Sequence, residues 1–186
     1  QVSNLFSFND DFTDTKGHGT ALASLIVGNT CGLTDAILKS VKIFDANQPT
    51  LISDLLHAFD AIITDFIDNG SRPSTVNMSW AISRNEYVDA KVIELASYGL
   101  KIVAAAGNSG QPISDVTPAG LDVAITIGAY GQDLTPCDFS DYTDPTLVGL
   151  TNGAVNTGRL KGWAPGEKLY AAGLNGTYGY IAGTSG

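Results

Sequence analysis

The sequence predicts an α/β fold with a mainly parallel sheet and helices on both of its faces. Helical patterns alternate with short strands, and these strands are continuously apolar rather than alternating, which is typical of buried parallel strands. Apolar residues make up 44% of the 186 residues and charged residues only 16%, a composition that favours a folded core over disorder. We expect one domain over residues 1–186, incomplete at both ends.

The first half of the chain carries two helical patterns. Residues 18–27 are predicted to be helical because their apolar residues share one side, and Gly28 closes the helix. The chain opens just before this helix, and we expect no sheet strand ahead of it. A short apolar strand is predicted at 41–44, and Ser53 is the expected N-cap of a second helix that runs to Asp68.

The second half begins with more helix and strand signals and ends without them. Ser83 and Glu86 form a capping-box pattern for a third helix, which Gly99 ends. After Tyr130 the chain is loop-like and rich in glycine. Continuous apolar runs predict three further strands, at 75–80, 101–106 and 123–129.

Charge and composition exclude several classes of partner. The formal net charge is −9, which disfavours nucleic acid and anionic lipid, and no apolar run is long enough to span a membrane. Cys31 and Cys137 lie far apart in no metal-binding spacing, so one disulfide and two buried thiols both remain open. We expect no nucleic-acid partner, no membrane span and no metal site that can be assigned from the residues.

Three short motifs carry residues suited to serine acyl transfer, which needs a base, an amide donor and a nucleophile. Taken singly, each has an ordinary reading: a surface histidine near a helix cap, a turn, and a flexible tail. His57, on the polar side of the second predicted helix, is interpreted as a solvated side chain. The motifs are Gly17-His18-Gly19-Thr20, Ala104-Ala105-Ala106-Gly107-Asn108-Ser109-Gly110 and Gly183-Thr184-Ser185-Gly186.

In this order the three motifs resemble those of the subtilisin-like serine proteases. Other stretches resemble the segments that join these motifs in the family, so that the resemblance covers nearly the whole chain. It implies a subtilisin-like peptidase domain and a serine endopeptidase activity on polypeptide substrates. The resemblance favours a secreted or extracytoplasmic location, which the residues themselves leave unknown. The joining stretches are 41–45, 77–79, 117–119, 127–129, 139–140 and 163–166.

The resemblance also implies roles for individual residues. His18 would be the general base and then the general acid, and Ser185 the nucleophile. Asn108, with the backbone N–H of Ser185, would bind the oxyanion. The implied substrate-binding residues are Ser79, Trp80 and Ala81 as a strand that pairs with the substrate, Ala106 and Gly107 as a wall of the specificity pocket, and Asp14 as an acid near the leaving side of the cleft.

Parts of the family pattern are missing from this sequence. No Asp-Thr-Gly or Asp-Ser-Gly string precedes His18, and Asp10, Asp11 and Asp14 stand too close to the helix to lie behind the imidazole. The catalytic aspartate is therefore expected outside this chain. The helix that follows the serine in the family is also missing, so we expect a companion chain or segment to complete the fold.

Several functional alternatives remain open at this stage. A catalytically inactive pseudoprotease that acts as a binding or scaffold module would keep the fold without the reaction, and an esterase could use the same serine. No cofactor is required by the implied chemistry. Calcium is possible by family resemblance, but its ligands cannot be named. Leu22, one helical turn after His18, stands where the acid-acting sedolisins carry an acidic residue and argues against that branch.

Overall fold

The structure is a computed structural model that describes residues 1–146 and 159–186. These residues form two compact units. The first unit comprises Gln1–Arg72 and Tyr170–Ile181, and the second comprises Pro73–Leu169 and Ala182–Gly186. Residues 147–158 lie outside the described part of the chain.

The described helices are α1 (His18–Val27), α2 (Ile52–Asp68) and α3 (Glu86–Ser97). The strands are β1 (Val2–Ser7), β2 (Leu38–Lys42), β3 (Thr75–Met78), β4 (Ile82–Ser83), β5 (Lys101–Ala105), β6 (Val116–Thr117), β7 (Ala124–Tyr130), β8 (Gly162–Pro165), β9 (Leu169–Ala172) and β10 (Tyr178–Ile181). This order of helices and strands agrees with the predicted α/β class.

In the first unit, β1 pairs in parallel with β2, and α2 packs against β1. The expectation that no strand precedes α1 was therefore wrong. The sequence of β1, Val-Ser-Asn-Leu-Phe-Ser, mixes polar and apolar residues, and its first three residues are exposed. A strand of this kind shows no continuous apolar run, and backbone hydrogen bonds to its neighbour hold it in place.

The second unit is built on a four-stranded sheet in the order β3-β5-β7-β8, in which all three pairings are parallel. On α3, Val88, Val92 and Leu95 are fully buried, and this helix contacts β5. Val103 of β5 stands opposite Ile125 of β7 in the register. Ile125 is 41% exposed, so this part of the sheet is only partly covered within the described residues.

The element boundaries differ from the predictions at the helix caps and in two strands, since the strand predicted at 41–44 lies at 38–42 and the one predicted at 75–80 ends at Met78. The N-cap of α2 is Leu51, whose backbone N–H donates to the carboxylate of Asp54. The N-cap of α3 is Asn85, whose side chain accepts from two backbone N–H groups of the first turn, and not Ser83. Three strands after Tyr130 were missed. In the described part of the chain, every helix is too short or too polar to cross a membrane.

Candidate active site

The Asn108 loop, defined here as residues 106–111, follows the carboxyl end of β5. Gly107 takes a φ of +117°, a conformation that L side chains rarely adopt. Asn108 itself is exposed. This placement agrees with the general rule that ligands of parallel α/β sheets bind beyond the carboxyl ends of the strands.

The carboxamide of Asn108 is oriented by Thr184. Its Oδ1 accepts hydrogen bonds from the backbone N of Thr184 at 2.8 Å and from Thr184 Oγ1 at 3.1 Å. A backbone N–H can only face the oxygen of an amide, so the bond assigns Oδ1 and Nδ2. The Nδ2 group is thereby left on the other side of the carboxamide, next to Gly183, as a hydrogen-bond donor.

Thr184 also ties the Asn108 loop to the segment that carries Ser185. Its Oγ1 accepts a hydrogen bond of 3.0 Å from the backbone N of Gly107, and the residue is only 6% exposed. A buried hydroxyl that both donates and accepts has its polar atoms satisfied. Direct hydrogen bonds thus join Thr184 to Asn108, 76 positions away in the sequence, and to Gly107, 77 positions away.

Ser185 and Ser79 form a reciprocal pair of contacts. Ser79 Oγ donates to the backbone oxygen of Ser185 at 2.9 Å, and Ser185 Oγ donates to the backbone oxygen of Ser79 at 3.4 Å. The second bond is long and therefore weak. Ser185 is half-buried, and its hydroxyl is held by this weak bond to Ser79, the residue that follows β3.

The remaining residues predicted to bind substrate in the second unit follow the same two strands. Trp80 is half-buried and Ala81 is exposed, between β3 and β4, whereas Ala106 and Gly107 are buried. Because β3 and β5 are parallel neighbours, their carboxyl ends meet at one edge of the sheet. The structure therefore brings these residues together with Asn108 and Ser185 in the second unit.

His18 lies in the first unit, where it is the first residue of α1 and is exposed. Gly17, the N-cap, has a φ of +80° and provides no side-chain cap. The start of the helix is capped instead by Asp14, from outside the usual N-cap position.

The carboxylate of Asp14 accepts four hydrogen bonds from its own turn and from the first turn of α1. Oδ1 accepts from the backbone N of Lys16 at 3.0 Å and of Gly17 at 2.8 Å, and Oδ2 accepts from Thr20 N at 2.8 Å and Thr20 Oγ1 at 2.7 Å. Partial burial raises the pKa of Asp14, but these hydrogen bonds outweigh it and lower the pKa below its usual value. Sequence reasoning did not find this capping role.

Other chemically active side chains lie outside the motifs. His57 is exposed on α2, as predicted. Cys31 and Cys137 are both free thiols, so the disulfide alternative is not the one found. Burial, and then the nearby acidic groups led by Glu167, raise the pKa of the Cys137 thiol. Within residues 1–146 and 159–186, no group of three or more His, Cys, Asp or Glu side chains is arranged to hold a metal ion.

The chain is similar to known proteins in both sequence and structure. The model of the subtilase family of peptidases matches residues 5–186. The chain is 32% identical over 163 residues to "Subtilisin-like protease 2" of Trichophyton verrucosum and to that of Trichophyton rubrum. These matches cover 87% of this chain but 35% of each relative, so the chain spans about a third of the length of the curated relatives it matches.

Solved structures with the same fold include two that cover nearly all of the chain. A cold-adapted subtilisin-like serine proteinase superposes with a TM-score of 0.83 at 24% identity, over 99% of this chain and 62% of its own. Sphericase superposes with a TM-score of 0.79 at 28% identity, over 95% of this chain and 61% of its own. The fold is therefore subtilisin-like.

Proposed function

The chain belongs to the subtilase family, and we propose that the protein is a serine endopeptidase that cleaves peptide bonds through an acyl-enzyme. The observation that carries this proposal is the arrangement of Asn108 and Ser185 in the second unit. Thr184 binds Oδ1 of the Asn108 carboxamide and leaves its Nδ2 to donate elsewhere. Ser185 directly follows Thr184 in the sequence. A preset amide donor beside a serine suits the stabilisation of a tetrahedral oxyanion.

In the proposed reaction, Ser185 Oγ attacks the carbonyl carbon of the scissile peptide while His18 takes the hydroxyl proton. The carbonyl oxygen becomes an anion, which receives hydrogen bonds from Asn108 Nδ2 and from the backbone N–H of Ser185. The tetrahedral intermediate then expels the amine, to which His18 returns the proton. Water then attacks the carbonyl carbon of the acyl-enzyme while His18 takes a proton from it. The second tetrahedral intermediate expels Ser185 Oγ, to which His18 returns the proton, and the carboxylic acid product leaves.

Further roles belong to the same proposal. Ser79, Trp80 and Ala81 would pair with the substrate backbone as an added strand. Ala106 and Gly107 would form a wall of the specificity pocket. The aspartate that orients His18 would come from residues outside this chain. Asp14 would favour basic groups on the leaving side, but only indirectly, because its carboxylate oxygens already accept four hydrogen bonds.

The proposal is tested in the full-length protein with a fluorophosphonate probe and with casein. We expect the probe to label the wild type and the casein to be hydrolysed, whereas Ser185→Ala abolishes both. Ser97→Ala is the matched control, because Ser97 is an exposed serine of the same unit that lies at the end of α3 and has no role in the proposed reaction. Labelling that survives Ser185→Ala would refute the assignment of the nucleophile.

Two other outcomes would point to the alternative functions. A pseudoprotease predicts neither labelling nor casein hydrolysis in the wild type. An esterase predicts labelling and turnover of an activated ester, without cleavage of casein or of peptide amides.

A further inference from the structure

Residues 139–142 form a clasp on the Asn108 loop. The backbone N of Gly110 donates to the oxygen of Phe139 at 2.9 Å, and the N of Asp141 donates to the oxygen of Gly107 at 3.0 Å. The N of Tyr142 also donates to the oxygen of Gln111 at 3.0 Å. The loop lies outside regular strands and helices, so its backbone groups have no partners from regular secondary structure. These three bonds satisfy part of its backbone and order the loop.

The side chain of Asp141 adds two hydrogen bonds to these backbone contacts. Asp141 is only 2% exposed, and its Oδ1 accepts from the backbone N of Ser109 at 2.8 Å and of Gln111 at 3.0 Å. Hydrogen bonds to a charged acceptor are stronger than those between neutral groups. One buried oxygen thus fixes the backbone of both Ser109, directly after Asn108, and Gln111.

The other carboxylate oxygen of Asp141, Oδ2, faces Gly107, the residue before Asn108 in the sequence. A Cβ atom added to Gly107 would collide with Asp141 Oδ2, so the carboxylate is packed directly against the residue before Asn108. Asp141 therefore contacts the residues that precede and follow Asn108 in the sequence. Thr184, by contrast, orients the carboxamide.

We propose that Asp141 is a positioning residue of the reaction proposed above: its buried carboxylate fixes the backbone of the Asn108 loop so that Asn108 Nδ2 lies where the oxyanion forms. This inference rests on the proposed function. A donor of this kind acts mainly in the transition state, so misplacing it lowers kcat and leaves KM nearly unchanged. Loss of an oxyanion donor lowers kcat by a factor of about 10²–10³, a value that was measured on a subtilisin.

Two variants of the full-length protein separate the acceptor from the charge. Asp141→Ala removes the acceptor of both N–H groups, and we expect kcat to fall about 10- to 100-fold with KM within about twofold of the wild type. Asp141→Asn keeps one acceptor oxygen of the same size, and we expect it to restore kcat to within about fivefold. If Asp141→Ala does not fold, Asp141→Ser takes its place, with an expected loss of about tenfold.

The readout that distinguishes positioning from general destabilisation is a double-mutant cycle with Asn108→Ala. If Asp141 acts through Asn108, Asp141→Ala changes kcat by less than about twofold in the Asn108→Ala background. A merely structural role would lower kcat by the same factor in both backgrounds. Rates are referred to active sites counted with the fluorophosphonate, so that unfolded protein does not enter kcat.

Asp133→Ala is the matched control, because Asp133 is an exposed aspartate of the same unit whose Oδ1 also accepts from a backbone N–H. Its kcat should equal that of the wild type. An active wild type whose kcat is unchanged by Asp141→Ala, or equal factors in both backgrounds, would overturn this inference alone. A wild type that neither reacts with the fluorophosphonate nor cleaves peptides would overturn the proposed function together with it.

Discussion

Replacing Gly107 by alanine should be among the most damaging single-methyl changes in the second unit. The residue has a φ of +117°, and the new Cβ would collide with Asp141 Oδ2. A flexible side chain could move away from such a collision. Asp141 cannot do so without losing its hydrogen bonds to Ser109 and Gln111, so the loop or the carboxylate must shift.

The expected loss of stability has two parts. Holding a non-glycine residue in this backbone region costs about 1–3 kcal/mol, and forcing an extra methyl group into a packed site costs about another 1–3 kcal/mol. Gly99 separates the two, because its φ is +99° but an added Cβ would meet nothing within 4 Å. Gly99→Ala should therefore show only the first part.

The measurement is urea unfolding of the full-length variants, with the free energy of unfolding obtained by linear extrapolation. We expect Gly107→Ala to lose about 1–3 kcal/mol more than Gly99→Ala, the excess being the collision. Combining Gly107→Ala with Asp141→Ala should reveal a coupling of the same size, since the second change removes the atom that is struck. Equal losses for the two glycine variants, or additive effects in the combined variant, would contradict this reasoning.

Three further predictions concern other contacts. Thr184→Val removes the hydroxyl that binds the Asn108 carboxamide and should lower kcat about tenfold, whereas an unchanged kcat in steady-state assays would show that the backbone bond suffices. Leu95→Ala, at a fully buried position, should lower the free energy of unfolding by about 2–5 kcal/mol, and Leu33→Ala, at an 89% exposed position, by no more than about 0.5 kcal/mol. The side-chain bond with Lys42 lowers the pKa of Asp45 to about 2, so its contribution to stability is present above about pH 4 and is lost as the pH falls towards 2. Between about pH 4 and pH 2 the free energy of unfolding should therefore fall more steeply for the wild type than for Asp45→Asn. The same pH dependence in both proteins would exclude the effect.

The sequence was most informative where short-range signals decide the structure. The bounds of α1 were predicted correctly, because an apolar stripe and a closing glycine are local features. The caps of α2 and α3 were not. The N-cap of α2 is Leu51, which has no polar side chain to mark it, and at α3 Asn85 rather than Ser83 accepts from the first turn. The first strand, β1, was missed because its polar residues interrupt the apolar pattern expected of a strand. Pairing with β2 stabilises it instead.

The candidate site divides in the same way. The motifs around Asn108 and Ser185 could be found from their residue types and their order. The supporting residues could not, because Thr184 reaches Asn108 across 76 positions and Asp141 reaches Ser109 across 32. No local pattern marks such partners. The burial of Asp141, which marks it as a residue that needs partners, is visible only in the structure.

The proposed role of Asp141 would explain how an exposed loop keeps an oxyanion donor in a fixed position. Residues 108–110 are exposed, and exposed loops of turn-forming residues are ordinarily mobile. Electrostatic stabilisation of a transition state requires the opposite, because a donor that must reorganise during the reaction loses most of its advantage. Burying a carboxylate is costly unless it is hydrogen-bonded, and in Asp141 two backbone N–H groups of this loop offset that cost. The hydrogen bonds that satisfy the buried charge are therefore the ones that order the loop, which is why removing the acceptor should damage catalysis more than removing the charge.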